Sequence, residues 1–133
     1  MAQIKKILLI EDDLSTNYLH KRVISKSDCD AQVIVHQNAD NALTYLKNTS
    51  KDHNIPPNLI FLDVNLPGMS GWEFLDEFRI LSFPEKEETV IIMLTTSLHP
   101  DHEAKAKEYP ELNGFHTKPM TLEMFTNILN TYF

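Results

Sequence analysis

Asp63 closes the apolar run Leu59-Ile60-Phe61-Leu62 and is followed by Val64-Asn65-Leu66-Pro67-Gly68. A carboxylate there stands where a buried strand gives way to a loop. Glu11-Asp12-Asp13 closes another apolar run, Ile7-Leu8-Leu9-Ile10, in the same way, and Thr95 and Lys118 close two further strand-like runs. Carboxylates, a hydroxyl and an ammonium at strand ends are the parts of a metal-assisted phosphoryl site. Carboxylates gathered at one mouth repel: two unit charges about 4 Å apart interact by roughly 4 kcal/mol at an effective dielectric near 20. A hard divalent cation relieves this, and Mg2+ takes oxygen ligands while keeping several waters. The cation also screens the approach of a phosphoryl group to an anionic nucleophile.

The elements that must position these groups alternate along the chain. Ile7–Ile10 is a short apolar run and predicts a buried strand. Ser15 to about Lys26 predicts a helix with Leu19, Val23 and Ile24 as its apolar residues. Val33-Ile34-Val35 is β-branched and predicts a second strand. Ala39, Ala42, Leu43 and Leu46 recur at helical spacing. Asn48–Asn58 is polar, contains Pro56-Pro57 and reads as a long loop. Leu59–Leu62 is the third strand. Ser70 and Glu73 have the capping-box spacing that opens a helix carrying Phe74, Leu75 and Phe78. Glu85-Lys86-Glu87-Glu88 reads as a solvated connection, and Val90–Leu94 as the fourth strand. Asp101–Tyr109 is compatible with a short, mostly polar helix. Phe115-His116-Thr117 is a weak fifth strand, and Leu122, Phe125, Ile128, Leu129 and Tyr132 follow helical spacing.

Alternating strands and helices imply a parallel sheet covered on both faces, with right-handed crossovers that make it doubly wound. Ligands bind such sheets outside the carboxyl ends of the strands, near the topological switch point. Glu11, Asp12, Asp63, Thr95 and Lys118 all fall at those ends, although they are far apart in the chain.

On these pieces the chain resembles the receiver domain of bacterial two-component response regulators, over about Lys5 to Phe133. The pieces are Ile7-Leu8-Leu9-Ile10-Glu11-Asp12-Asp13, Leu62-Asp63-Val64-Asn65-Leu66-Pro67-Gly68-Met69-Ser70-Gly71, Met93-Leu94-Thr95-Thr96-Ser97 and Gly114-Phe115-His116-Thr117-Lys118-Pro119, in that order. The resemblance implies a flavodoxin-like fold with a five-stranded sheet and five helices, one domain over residues 1–133. It implies that Asp63 is the phosphoacceptor. Glu11 and Asp12, with Asp63 and the main-chain carbonyl of Asn65, would hold Mg2+. Thr95 would contact the phosphoryl group, Lys118 would supply positive charge to it, and Phe115 would be the aromatic switch. The Lys118-Pro119 bond is commonly cis in the family. Phosphoryl lifetime there depends partly on the positions held here by Asn65 and Ser97. The donor would be a sensor histidine kinase or a histidine phosphotransfer protein, and the output an unnamed protein partner bound around the fourth and fifth helices. The acidic pair is Glu-Asp rather than Asp-Asp, and Thr96 stands where a small residue is usual.

Bulk properties narrow the alternatives. The formal net charge of −7 argues against direct nucleic-acid binding, which needs clustered Lys and Arg. No apolar stretch is long enough to span a bilayer, and the start lacks a signal-peptide h-region, so cytoplasm is the expected setting. The single cysteine, Cys29, forms no internal disulfide. Three glycines and no glycine-rich P-loop argue against ATP binding. Six histidines are scattered; His99 and His102, read as loop residues about Pro100, do not suggest a metal site. A haloacid-dehalogenase-like phosphatase would want a second Asp where Asn65 stands. A flavodoxin would need phosphate where Glu11-Asp12-Asp13 repels it. The reading is therefore a phosphoacceptor switch rather than a true enzyme, monomeric or a weak phosphorylation-dependent dimer. A degenerate receiver that binds partners without phosphorylation is the alternative.

Overall fold

The computed structural model describes residues 4–49, 55–96 and 99–133. Strands β1 (Lys6–Ile10), β2 (Gln32–His36), β3 (Leu59–Asp63), β4 (Val90–Thr95) and β5 (Gly114–Thr117) form one parallel sheet in the order β2-β1-β3-β4-β5. Helices α1 (Leu14–Lys26), α2 (Ala39–Lys47), α3 (Gly71–Ile80), α4 (Pro100–Ala106) and α5 (Leu122–Tyr132) alternate with the strands, and a 3-10 turn spans Lys86–Glu88. This is the flavodoxin-like doubly wound arrangement.

β1, β3 and β4 are buried at every position. Helices cover both faces, so these strands carry continuous apolar runs rather than an alternating pattern. Successive side chains still point to opposite faces. Leu8, Ile10, Ile60, Leu62, Ile91 and Met93 pack with Leu43 and Leu46 of α2 and Phe74, Leu75 and Phe78 of α3. Ile7, Leu9, Leu59, Phe61, Ile92 and Leu94 pack with Ile24 of α1 and Phe125 and Ile128 of α5. Each such side chain contributes about 1.5–3 kcal/mol by leaving water.

Local chemistry starts the helices where strands have just ended. Asp13, Asn38 and Thr121 cap α1, α2 and α5, each side chain accepting from a main-chain N–H of the first turn. Ser70 and Glu73 form the expected capping box at α3. Ser70 and Glu73 each bond the other's main-chain N–H, which satisfies two donors at once.

Three expectations need correction. Leu19 is 49% exposed, and α1 instead buries Asn17, His20 and Ile24. The helix is turned by about one residue from its apolar reading, because two polar side chains find partners inside. α4 stops at Ala106 rather than reaching Tyr109. There Tyr109 folds into the core and its hydroxyl donates to Asp76 Oδ1 at 2.9 Å. His102 is not a loop residue but lies in α4, while His99 stands just before the helix and caps it with its own ring. The long Asn48–Asn58 loop falls partly outside the described residues. Its end is fixed by Asn58, whose side-chain carbonyl accepts from the N–H groups of Lys5 and Lys6.

Candidate functional site

The strand order reverses direction between β1 and β3. At that point their carboxyl ends bring Glu11, Asp12 and Asp63 together. One carboxylate oxygen from each lies within 4.8 Å of the others. Glu11 and Asp63 are buried and Asp12 is exposed. An all-oxygen, anionic donor set with one open side suits a hard divalent cation that keeps part of its water.

Lys118 reaches this cluster from the end of β5, across β4 and β3. Its Nζ donates to Glu11 Oε1 at 2.6 Å and lies 3.3 Å from Asp63 Oδ1. Its main-chain N–H donates to the carbonyl of Thr95 at 2.7 Å, and the Lys118-Pro119 bond is cis. Burial works against the ammonium. The hydrogen bond it donates to Glu11 and the charges of Asp63 and Glu11 outweigh it, so Lys118 holds its proton more firmly than an ordinary lysine.

Thr95 is buried at the end of β4, one position beyond Leu94, the register partner of Asp63. It shares the edge with the acids. Asn65 is exposed, and its N–H donates to Asp63 Oδ1 at 3.3 Å. Asp13 does not join the acidic group. Its carboxylate turns back into the α1 cap, where the Thr16 hydroxyl and N–H hold its pKa below the usual range. Ser97 lies outside the described residues.

α3 begins hard against the acceptor strand. A Cβ at Gly71 would stand 2.5 Å from the main-chain oxygen of Asp63 and 3.1 Å from Val64 Cα. Only glycine allows that approach, and it lets Gly71 N–H donate to the Val64 carbonyl at 2.9 Å.

Trp72 follows at once and is the centre of an aromatic group. It stacks on Phe115 (centroids 6.3 Å apart, 13° between planes) and on Tyr109 (5.6 Å, 29°). His102 of α4 lies against both Trp72 and Phe115. The Arg79 guanidinium lies over the Tyr109 ring, 4.8 Å from its centroid, and pairs with Glu111 at 2.9 Å. The half-buried Phe115 ring therefore rests on α3 rather than standing free. The sequence held no signal for these partners, which come from α4, the turn after it and β5.

The family described as Response regulator receiver domain matches residues 7–130. Response regulator Rcp1 of Synechocystis sp. is 32% identical over 120 residues, covering 90% of this chain and 80% of Rcp1. The crystal structure of a two-component response regulator from Cytophaga hutchinsonii superposes with a TM-score of 0.88 at 27% identity, covering 98% of each chain. The Mn(2+)-bound form of Rcp1 superposes with a TM-score of 0.75 at 30% identity, covering 95% of this chain and 90% of that one.

Proposed function

Because the chain belongs to the response regulator receiver domain family, we propose that it is a phosphorylation-dependent switch in which Asp63 accepts a phosphoryl group from a phosphohistidine. The observation that carries this reading is the shared ion pair of Lys118 with Glu11 and Asp63, set beside three converging carboxylates. Glu11, Asp12 and Asp63, with the Asn65 carbonyl, would hold Mg2+. When bound, the ion offsets carboxylate repulsion and draws negative charge from the incoming phosphoryl oxygens.

The protein's own groups do the rest. An Asp63 carboxylate oxygen attacks phosphorus, the phosphorus–nitrogen bond of the phosphohistidine breaks, and the imidazole leaves with its electron pair and takes up a proton. Lys118 turns from Glu11 toward a phosphoryl oxygen and supplies fixed positive charge. The Thr95 hydroxyl and the Asn65 N–H donate to the other oxygens. Transfer of this kind depends mainly on positioning and charge. The phosphorylated site then draws Thr95 inward, Phe115 leaves its place on Trp72, and the surface around α4, β5 and α5 changes for a protein partner. α4 buries no side chain fully, which suits an element of low local stability. The kinase or phosphotransfer protein and the partner are proteins of the cytoplasm in this reading.

The test is intact-mass measurement after incubation with a small phosphodonor, with and without Mg2+, beside Asp63→Asn. A single Mg2+-dependent phosphoryl adduct, absent from the variant, supports the switch. No adduct with any donor would favour a phosphorylation-independent binding module. An adduct that persists in Asp63→Asn would move the nucleophile elsewhere.

A further inference from the structure

α1 turns two polar side chains into the core. Asn17 is 5% exposed and His20 is 1% exposed, on the face that also buries Ile24. Burying such groups is unfavourable without partners, and each finds its partner on a different loop of the acidic site. Asn17 Nδ2 donates to the main-chain carbonyl of Glu11 at 2.9 Å. His20 Nε2 accepts the main-chain N–H of Met120 at 3.1 Å. Met120 stands just past Lys118-Pro119, and proline has no N–H to offer.

Both loops are thereby pinned on two sides. The Glu11 N–H donates to the His36 carbonyl at 3.1 Å while its carbonyl is gripped by Asn17. The Lys118 N–H donates to the Thr95 carbonyl while the next available N–H, that of Met120, is gripped by His20. The two side chains so placed, Glu11 and Lys118, meet at 2.6 Å although they lie 107 positions apart. Residues three apart on a helix stand about 5–6 Å apart between Cβ atoms, so one rigid turn of α1 sets the distance between the loops.

We propose that Asn17 and His20 are positioning residues, with α1 acting as a brace that fixes Glu11 and Lys118 relative to each other. The phosphoryl readout of this idea rests on the acceptor reading of Asp63; its metal and spectroscopic readouts do not. Groups that orient metal ligands from behind typically change affinity or activity by about 10–100-fold when removed. A misplacement of about 1 Å costs on the order of 100-fold in rate.

The experiment uses the full chain with Asn17→Leu, Asn17→Ser, His20→Leu and His20→Gln. Mg2+ affinity is read by titration calorimetry, phosphorylation by acetyl phosphate at saturating Mg2+, and folding by urea denaturation. The Asn17 variants should weaken Mg2+ binding roughly tenfold. His20→Leu should leave Mg2+ binding near wild type, slow phosphorylation roughly tenfold, and broaden the Lys118 ammonium resonance. His20→Gln carries an acceptor near the Nε2 position and should restore most of the rate and the resonance. Loss of urea stability alone, with wild-type Mg2+ affinity and rate, would overturn the brace. So would equal slowing in His20→Gln and His20→Leu. If the wild-type chain takes no phosphoryl group, the acceptor reading fails, and Mg2+ affinity in the Asn17 variants with the Lys118 resonance in the His20 variants still decides the brace.

Discussion

Lys118 donates to Glu11 at 2.6 Å and lies 3.3 Å from Asp63, so its ammonium stands closer to the acid of β1 than to the acid of β3. A divalent cation held by the proposed ligands would draw on the same carboxylates as the lysine. Each lowers the repulsion that the other would otherwise relieve, and the lysine is the one anchored covalently to the fold.

Replacing Lys118 by Met should therefore separate binding from transfer. Mg2+ should bind several-fold more tightly, because Glu11 and Asp63 lose a competing cation. Phosphorylation by a small donor should slow by roughly 100-fold, the loss typical of removing one fixed positive group or donor from a transition state. Calorimetry with Mg2+ and single-turnover kinetics check the two halves. Weaker Mg2+ binding in the variant would show that Lys118 supports the metal geometry instead of competing with it.

Gly71→Ala should destabilise the chain by about 1–3 kcal/mol, the range for forced overpacking. The new methyl meets main-chain atoms of Asp63 and Val64, which cannot rotate away. Urea denaturation measures the cost. The start of α3 must shift from the end of β3, so the phosphorylation rate should fall as well. A variant of wild-type stability would mean that this junction is looser than its geometry.

Trp72 is the single tryptophan of the chain, and Phe115 stacks on it. If Phe115 leaves that position on phosphorylation, Trp72 emission should change in step with the mass adduct. Phe115→Leu should remove most of that change while still accepting the phosphoryl group. Emission that stays constant through full phosphorylation would mean that Phe115 does not move away.

Acid should act through His20. Burial first, and the Lys118 charge second, lower its pKa from 6.5 to about 4. The unfolded chain then binds this proton more readily than the folded one. Stability should fall as the pH drops below 6.5 and level off below about 4, by at most roughly 3 kcal/mol from this group. His36, whose pKa burial also lowers, adds in the same direction. Urea midpoints at about pH 7, 5.5 and 4.5 should fall less steeply in His20→Gln, which cannot titrate in this range. Equal slopes would assign the acid sensitivity to other groups.

The sheet was legible because the runs Ile7–Ile10, Leu59–Leu62 and Val90–Leu94 are buried on both sides and carry nothing but apolar residues. Their last residues point at the site for the same reason: the chain changes character where burial ends. α1 was misread because Asn17 and His20 look like solvent-facing residues until their partners, Glu11 and Met120, are known. Glu11 lies 6 positions before Asn17 on the loop into α1, Met120 lies 100 positions beyond His20, and apolar spacing records neither. Tyr109 is a similar case. It extends the helical spacing of α4 in sequence, but Asp76 and Trp72 draw it out of the helix. The convergence of Glu11, Asp12 and Asp63 was expected from strand ends; that Lys118 would sit on Glu11 was not.

Glu11 and Lys118 directly follow the first and last strands in the chain, and their meeting closes a loop of 107 positions. Long loops close late, because their entropy must be spent before their contacts form. Without β5 docked, the acids that follow β1 and end β3 would lack the lysine. The site would be an anionic pocket without its cation, poorly suited to accept phosphate. On the proposed acceptor reading of Asp63, phosphoryl acceptance would therefore need β5 docked as well as β1 and β3.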